Sequence, residues 1–234
     1  MHYLSKDQWL SSVLKIDCFN LLEYRDTLKS ELSNLMSPNL VSIFVNGSDS
    51  ANIGKFEKLG FYFVDTNIQF SALREEVQIK KRIPNHKIRF HNPKDKNDVI
   101  KIASNSFRSN RFSRDPNIEK NYSNKVKEEW VSNFFSGNRG DYLIISENQG
   151  KVSGFLLLLK QDNKLVIDLI AVSEEFRGIG LAKDLISFAI YNPNLKYDYI
   201  SVGTQGSNLY SLKLYNSINL STLSVKYIYH RHAK

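Results

Sequence analysis

Residues 165–190, LVIDLIAVSEEFRGIGLAKDLISFAI, constrain the chain more than any other stretch. An apolar strand ends at Val172, a short polar turn follows, and Arg177-Gly178-Ile179-Gly180-Leu181-Ala182 opens an amphipathic helix. Glycines let successive backbone N–H groups turn toward one point without a Cβ in the way. The helix N-terminus adds its partial positive charge there, so the turn suits a pyrophosphate. No Gly-Lys-Ser/Thr closes it, so it is not a Walker loop, and R-G-x-G-x-A falls short of a complete dinucleotide fingerprint. On spacing alone, a helix start that packs closely on a sheet is the competing reading.

Around this unit, short apolar strands alternate with helical stretches, the pattern of an α/β fold. Asp7 to Met36 lacks glycine and proline and reads as one or two helices. Leu40–Val45 reads as a strand, Asn52–Leu59 as a helix ending at Gly60, and Tyr62–Phe70 as a strand. A polar stretch around 78–88, with Pro84, reads as a linker, so residues 1–85 and 86–234 are expected to be two domains. In the second, Ile88–Phe90, Tyr142–Glu147, Gly154–Lys160, Leu165–Val172, Asp198–Thr204 and Ser224–His230 read as strands. Asp95–Ser106, Ile179–Tyr191 and Leu209–Ser217 read as helices.

An internal echo links the halves at an offset of 159 residues. VSIFVNGSDSANIGKFEKLGF, from Val41, aligns with ISVGTQGSNLYSLKLYNSINL, from Ile200. Gly47-Ser48-Asp49 matches Gly206-Ser207-Asn208, and Phe56 falls on Tyr215. The first copy reads as partial and decayed, because residues 1–40 contain no glycine to form a phosphate-cradling loop; it is expected to be scaffold.

The net charge of +8 is unevenly placed. Basic and acidic side chains balance at 10 each over residues 1–85, so the whole excess lies in 86–234. That favours an anionic partner, yet no dense Lys/Arg block points to nucleic acid. No apolar run approaches the roughly 18 residues of a membrane span, so no membrane insertion is expected. The solitary Cys18 and the absence of a secretory signal suit a cytoplasmic protein.

Arg177, Gly180 and Ala182 match the R/Q-x-x-G-x-G/A motif of the GNAT superfamily of acyl-CoA-dependent N-acyltransferases, and the chain resembles that superfamily. Asn208, Ser211 and Tyr215 match its next motif in order and separation. Within the superfamily, GTQGSNLYSLKLY and the Arg111-Phe112-x-x-Asp115-Pro116 segment, with its Trp-containing continuation, are similar to nucleotide-amino-sugar acetyltransferases such as the dTDP-fucosamine enzymes. Two departures stand out: Asn219-Leu220 replaces the usual Gly-Phe, and a W-D-x-x-x-F-G entry motif is missing. The resemblance implies a GNAT fold, a mostly antiparallel central sheet flanked by helices, preceded by a truncated GNAT-like half.

The resemblance also implies roles. Ile170, Ala171 and Val172 would pair with the pantetheine arm of acetyl-CoA, and the amides of Gly178, Ile179, Gly180, Leu181 and Ala182, beside Arg177, would hold its pyrophosphate. Asn208 would hydrogen-bond pantetheine, and Tyr215 would protonate the departing thiolate as general acid. Read from the residues, Asn208 could equally cap a helix and Tyr215 be a core aromatic. Asp168, isolated among apolar neighbours, is a candidate base. Arg108, Arg111, Arg114 and Lys120 flank the expected acceptor mouth, and Thr204 and Gln205 end the strand beside the cofactor. His230 and His232 share one strand face, but further metal ligands have no evident source, so no metal is expected. The expected partner is a nucleotide-linked amino sugar used in surface-glycan synthesis. A peptide amine, a non-catalytic binding module and a nucleic-acid binder are the rivals; a homodimer is left open.

Overall fold

Every strand among the described residues, 3–80, 86–107 and 110–233 of this computed structural model, joins one sheet. In chain order the elements are β1 (Leu4–Lys6), α1 (Gln8–Leu14), β2 (Asp17–Leu21), α2 (Leu28–Ser33), β3 (Asn39–Asn46), α3 (Ser50–Lys58) and β4 (Tyr62–Leu73). There follow β5 (Lys87–Phe90), α4 (Lys96–Ser106), α5 (Arg111–Arg114), α6 (Lys120–Phe135), β6 (Tyr142–Asn148), β7 (Lys151–Gln161) and β8 (Lys164–Val172). The chain continues with α7 (Leu181–Tyr191), β9 (Tyr199–Gln205), α8 (Leu209–Asn216) and β10 (Ser221–Ala233). The strand order is β1-β2-β3-β10-β4-β9-β8-β7-β6-β5, ten strands in all. Only β2–β3 and β8–β9 are parallel pairs; the other neighbours run antiparallel.

Side chains alternate across each strand, and an extra residue at Asp168 shifts that alternation by one along β8, so this strand feeds both buried faces. Leu165 and Ile167 of β8 pack with Leu181, Leu185, Ile186, Ala189 and Ile190, the apolar stripe of α7. Leu169 and Ala171 face the other way, onto Val99, Ile102 and Ala103 of α4 and Val131 of α6. Burying one Leu- or Ile-sized side chain is worth about 1.5–3 kcal/mol, so these stripes hold α4, α6 and α7 in place.

The echo in the sequence is a topological repeat. β2-α2-β3-α3-β4 has the same order and pairing as β8-α7-β9-α8-β10, each opening with a parallel strand pair. The halves exchange their last long strands: β10 lies between β3 and β4, and β4 between β10 and β9. Gly60 (φ 85°) and Asn219 (φ 64°) occupy aligned positions, both left-handed, so the asparagine meets the backbone demand that glycine meets in the other copy.

Two expectations change. The run Asp7–Met36 is not wholly helical: Lys15 turns left-handed (φ 61°) and ends α1, and β2 follows, pairing with β3 along Asp17–Leu21. Ladder pairing and burial of Cys18 and Leu21 override the helical spacing. The expected linker is packed at its start, where Ile79 is buried and the Gln78 N–H donates to the Ile218 carbonyl at 3.0 Å. Pro84 and Arg108 lie outside the described residues.

Candidate active site

β8 and β9 pair only from Lys164/Tyr199 to Ile167/Val202, although β8 runs on to Val172 and β9 to Gln205. On the other side of β8, Leu157 opposes Leu169 and Leu158 opposes Ile167, so Asp168 is the extra residue of a β-bulge. A bulge bends its strand. Beyond it the two parallel strands part, and the β8 backbone from Asp168 to Val172 fronts a wedge with buried Thr204 and partly exposed Gln205 on its far side. An extended ligand with amide groups fits such an unpaired strand edge.

The wedge ends at the glycine turn. Gly178 (φ 81°) and Gly180 (φ 88°) are both left-handed, and Gly180 is the N-cap of α7. A Cβ at Gly178 would meet nothing within 4 Å, so backbone conformation rather than crowding asks for glycine there. The Asp184 N–H donates to the Gly180 carbonyl at 3.2 Å; the Leu181, Ala182 and Lys183 amides precede it at the helix start, where the dipole is positive. Arg177, though exposed, donates from Nε to the Val172 carbonyl at 3.2 Å, so it braces the turn against the strand end. Gly154, opposite Val172, lets the sheet and α7 close up: its Cβ would sit 2.9 Å from the Ala171 carbonyl oxygen and 3.1 Å from Leu181 Cδ2.

Across the wedge, Asn208 caps α8 by accepting the Ser211 N–H at 3.3 Å. Tyr215 is 2% exposed, its ring 5.8 Å from that of Phe70. Burial pushes its phenol well above the ordinary value, a hydrogen bond with Ser211 working against the shift. Tyr215 therefore keeps its proton at neutral pH. The Ser207 hydroxyl donates to Asp65 at 2.6 Å, fixing the turn between β9 and α8.

On the α4/α6 face the sequence-derived residues take other places. Asp168 is not isolated among apolar groups: Arg139 donates to both its oxygens, at 2.8 and 2.6 Å, and Trp130 Nε1 donates at 2.8 Å. A carboxylate so occupied anchors α6 to β8. Arg114, half exposed, is paired with Asp65, Nε to Oδ2 at 3.3 Å. The Arg111 guanidinium lies 5.0 Å from the Phe44 ring and 4.6 Å from Phe112, and its Nη1 is buried without a hydrogen-bond partner. The Lys127 ammonium sits 4.2 Å over Trp130 and 5.1 Å from Phe107.

One cluster escaped the sequence analysis. Asp115, directly after α5, accepts from Tyr62 Oη (2.6 Å), the Asn117 N–H (2.9 Å), His230 Nδ1 (2.5 Å) and His232 Nε2 (2.9 Å). Burial opposes its ionisation, but these donors outweigh burial and hold the carboxyl far below the usual range. Burial pushes His230 down to about 4, against the hydrogen bond to Asp115, so its imidazole is neutral at pH 7. The paired histidines were visible on one strand face; their third partner lies 115 residues away from His230 and has no local signal. Asp115, His230 and His232 bring ligand-type atoms within 4.8 Å of one another, yet the carboxylate is already saturated by hydrogen bonds.

Comparison with known proteins places this geometry. Residues 100–219 match the model of the acetyltransferase (GNAT) family. The chain is 30% identical over 139 residues to the spore coat polysaccharide biosynthesis protein SpsD of Bacillus subtilis (strain 168), a match covering 59% of this chain and 48% of that protein. The chain thus spans about half the length of this curated relative. A conserved protein of unknown function from Staphylococcus epidermidis superposes with a TM-score of 0.70 at 15% identity, covering 96% of this chain and 89% of that one. A GCN5-related N-acetyltransferase from Kribbella flavida superposes with a TM-score of 0.65 at 7% identity, covering 99% and 88%. No described helix is long and apolar enough to cross a membrane. With its glycine turn, parted strands and buried tyrosine all inside the matched residues 100–219, over half the chain, this protein belongs to the acetyltransferase (GNAT) family of N-acyltransferases.

Proposed function

We propose that the protein transfers the acetyl group of acetyl-CoA to the amine of a nucleotide-linked amino sugar in surface-glycan synthesis. The parting of β8 and β9 beyond Ile167/Val202, directly before the glycine turn, carries the acetyl-CoA part of this reading. Pantetheine would pair with Ile170, Ala171 and Val172, and the amides of Gly178 to Ala182 would hold the pyrophosphate. Asn208 would meet pantetheine with the amide atoms that its capping bond leaves over. The neutral amine nitrogen attacks the thioester carbonyl, a tetrahedral oxyanion forms beside the β8 backbone, the nitrogen gives up a proton to solvent, and the C–S bond breaks. Tyr215 would give its proton to the leaving thiolate, a role usually worth about 10²–10⁴ in rate. Asp168 is engaged by Arg139 and Trp130, so we assign it no part as base.

The sugar part rests on the likeness to SpsD, named for spore coat polysaccharide biosynthesis, and on the excess of basic groups in residues 86–234. Residues 1–85 would serve as scaffold: Phe56 and Asp49 stand where the second half has Tyr215 and Asn208, and β2 stays paired with β3 to its last residue. The test is thiol release from acetyl-CoA across dTDP- and UDP-linked amino sugars, free amino sugars and peptide amines. Preference for a nucleotide-linked sugar by at least about tenfold in kcat/KM supports the reading. Turnover of peptide amines alone would overturn the acceptor and leave the acetyl transfer standing.

A further inference from the structure

We propose that Arg111 and Lys127 form a binding site for a phosphate-type oxyanion on the face of the sheet opposite α7, where it selects a phosphorylated acceptor. The site deepens the acceptor reading above and, for the identity of its ligand, rests on it. The observation behind it is a pair of half-buried cations, neither of which makes an ion pair among the described residues. Arg111 is wedged between the rings of Phe44 and Phe112, with Nη1 buried and unpartnered. Lys127 rests on Trp130 and Phe107 and makes no ion pair among the described residues.

Phe112, beside the Arg111 guanidinium, and Trp130, under the Lys127 ammonium, pack into one apolar cluster with Val126, which brings the two cations to one face. Burial, with Arg111 and Arg139 adding to it and Asp168 opposing, lowers the Lys127 ammonium to about 8. Neither carboxylate that these cations sense is within ion-pair distance of them, and each has hydrogen bonds elsewhere. Asp7 accepts from the Leu10 N–H at 2.9 Å and from the Asn20 amide at 3.2 Å, and Asp168 is held by Arg139 and Trp130. Neutral donors sit in the same layer. The Ser123 hydroxyl, one helical turn before Lys127 on α6, and the Ser42 hydroxyl, two residues from Phe44 on β3, are both buried without partners. Buried polar groups in a folded protein are normally satisfied, and unpaired charge is costly to bury. Two cations on one face suit the several acceptor oxygens of a phosphate, and the Ser123 hydroxyl shares the α6 face of Lys127. Both side chains keep part of their surface exposed, which leaves a route from solvent.

The test measures binding of inorganic pyrophosphate and of thymidine diphosphate to the full chain by calorimetry, with CoA-induced thermal stabilisation as the check on folding. We expect Lys127→Gln and Arg111→Gln each to weaken thymidine diphosphate binding about tenfold or more, since a hydrogen bond to a charged group is lost. Lys125→Gln, an exposed change on the same helix, should not weaken it, and the CoA response should persist throughout. Thymidine diphosphate binding more tightly than pyrophosphate assigns the site to the acceptor; equal affinity would overturn selection of the acceptor. Wild-type affinity in both glutamine variants, or nucleotide displaced by CoA, would overturn the site. If Lys127 governs anion binding while no nucleotide-linked sugar is turned over, the site stands and the substrate reading falls.

Discussion

Replacing Tyr215 with phenylalanine separates its packing from its proposed proton donation. The ring fills a closed position against Phe70, and Phe keeps that volume, so the packing contribution is unchanged. Removing the hydroxyl forfeits no more than one hydrogen bond, about 1 kcal/mol. In a chain of this length that lowers the Tm by about 2–4 °C. The catalytic loss should be far larger. A proton donor to a departing thiolate is worth about 10²–10⁴, so kcat should fall by at least about 10² with KM for acetyl-CoA little changed. The assay is thiol release under single-turnover conditions, beside thermal melts with and without CoA. Because burial keeps the phenol protonated well past neutrality, wild-type activity should show no loss from Tyr215 ionisation up to about pH 9. A variant within about threefold of wild type in the chemical step would refute the assignment of Tyr215 as donor. A variant that melts far lower would show that the hydroxyl is chiefly structural.

Gly180→Glu puts a side chain and a negative charge at the left-handed cap of α7; the protein should still melt cooperatively, but CoA should no longer raise its Tm. Asp168→Asn removes the counter-charge of Arg139 and should destabilise by about 1–3 kcal/mol in urea, discounted because Arg139 is 39% exposed. Lost turnover at unchanged stability would instead make Asp168 a base. His230 has a folded-state value lowered to about 4, below the ordinary value of 6.5, so the unfolded chain binds more protons between them. Stability should therefore be full above about pH 6.5 and fall as pH drops toward 4, and His230→Gln should flatten that slope in pH-dependent urea midpoints. An identical slope in the variant would assign the acid sensitivity to other groups.

The acetyltransferase core was legible because its signals are local. Gly178 and Gly180 declare a left-handed turn, Leu181 to Ile190 declare one helix face, and both lie within one short segment. The second copy of that order at an offset of 159 residues was legible too, since repeats need only self-comparison. Residues 7–36 misled because strand β2 has meaning only beside β3, and the helical spacing of its neighbours says nothing of that partner. The surroundings of the charged residues were hidden for a related reason. Arg111, Arg114 and Asp168 were sorted by charge along the chain, while the groups beside them, Phe44, Asp65 and Arg139, are distant in sequence.

What the amino-acid order determines by itself, then, is each strand–turn–helix unit, because backbone propensity and the period of apolar residues act over a few residues. Only the tertiary structure decides which strands lie side by side, so the exchange of β4 and β10 between the halves is invisible in either half alone. It also decides which polar groups are satisfied. Asp115 meets His230 across 115 residues, Trp130 meets Asp168 across 38, and Arg111 meets no carboxylate at ion-pairing distance among the described residues. Such pairings follow from where the sheet and helices bring side chains together in a medium too poor in water to leave them unpaired.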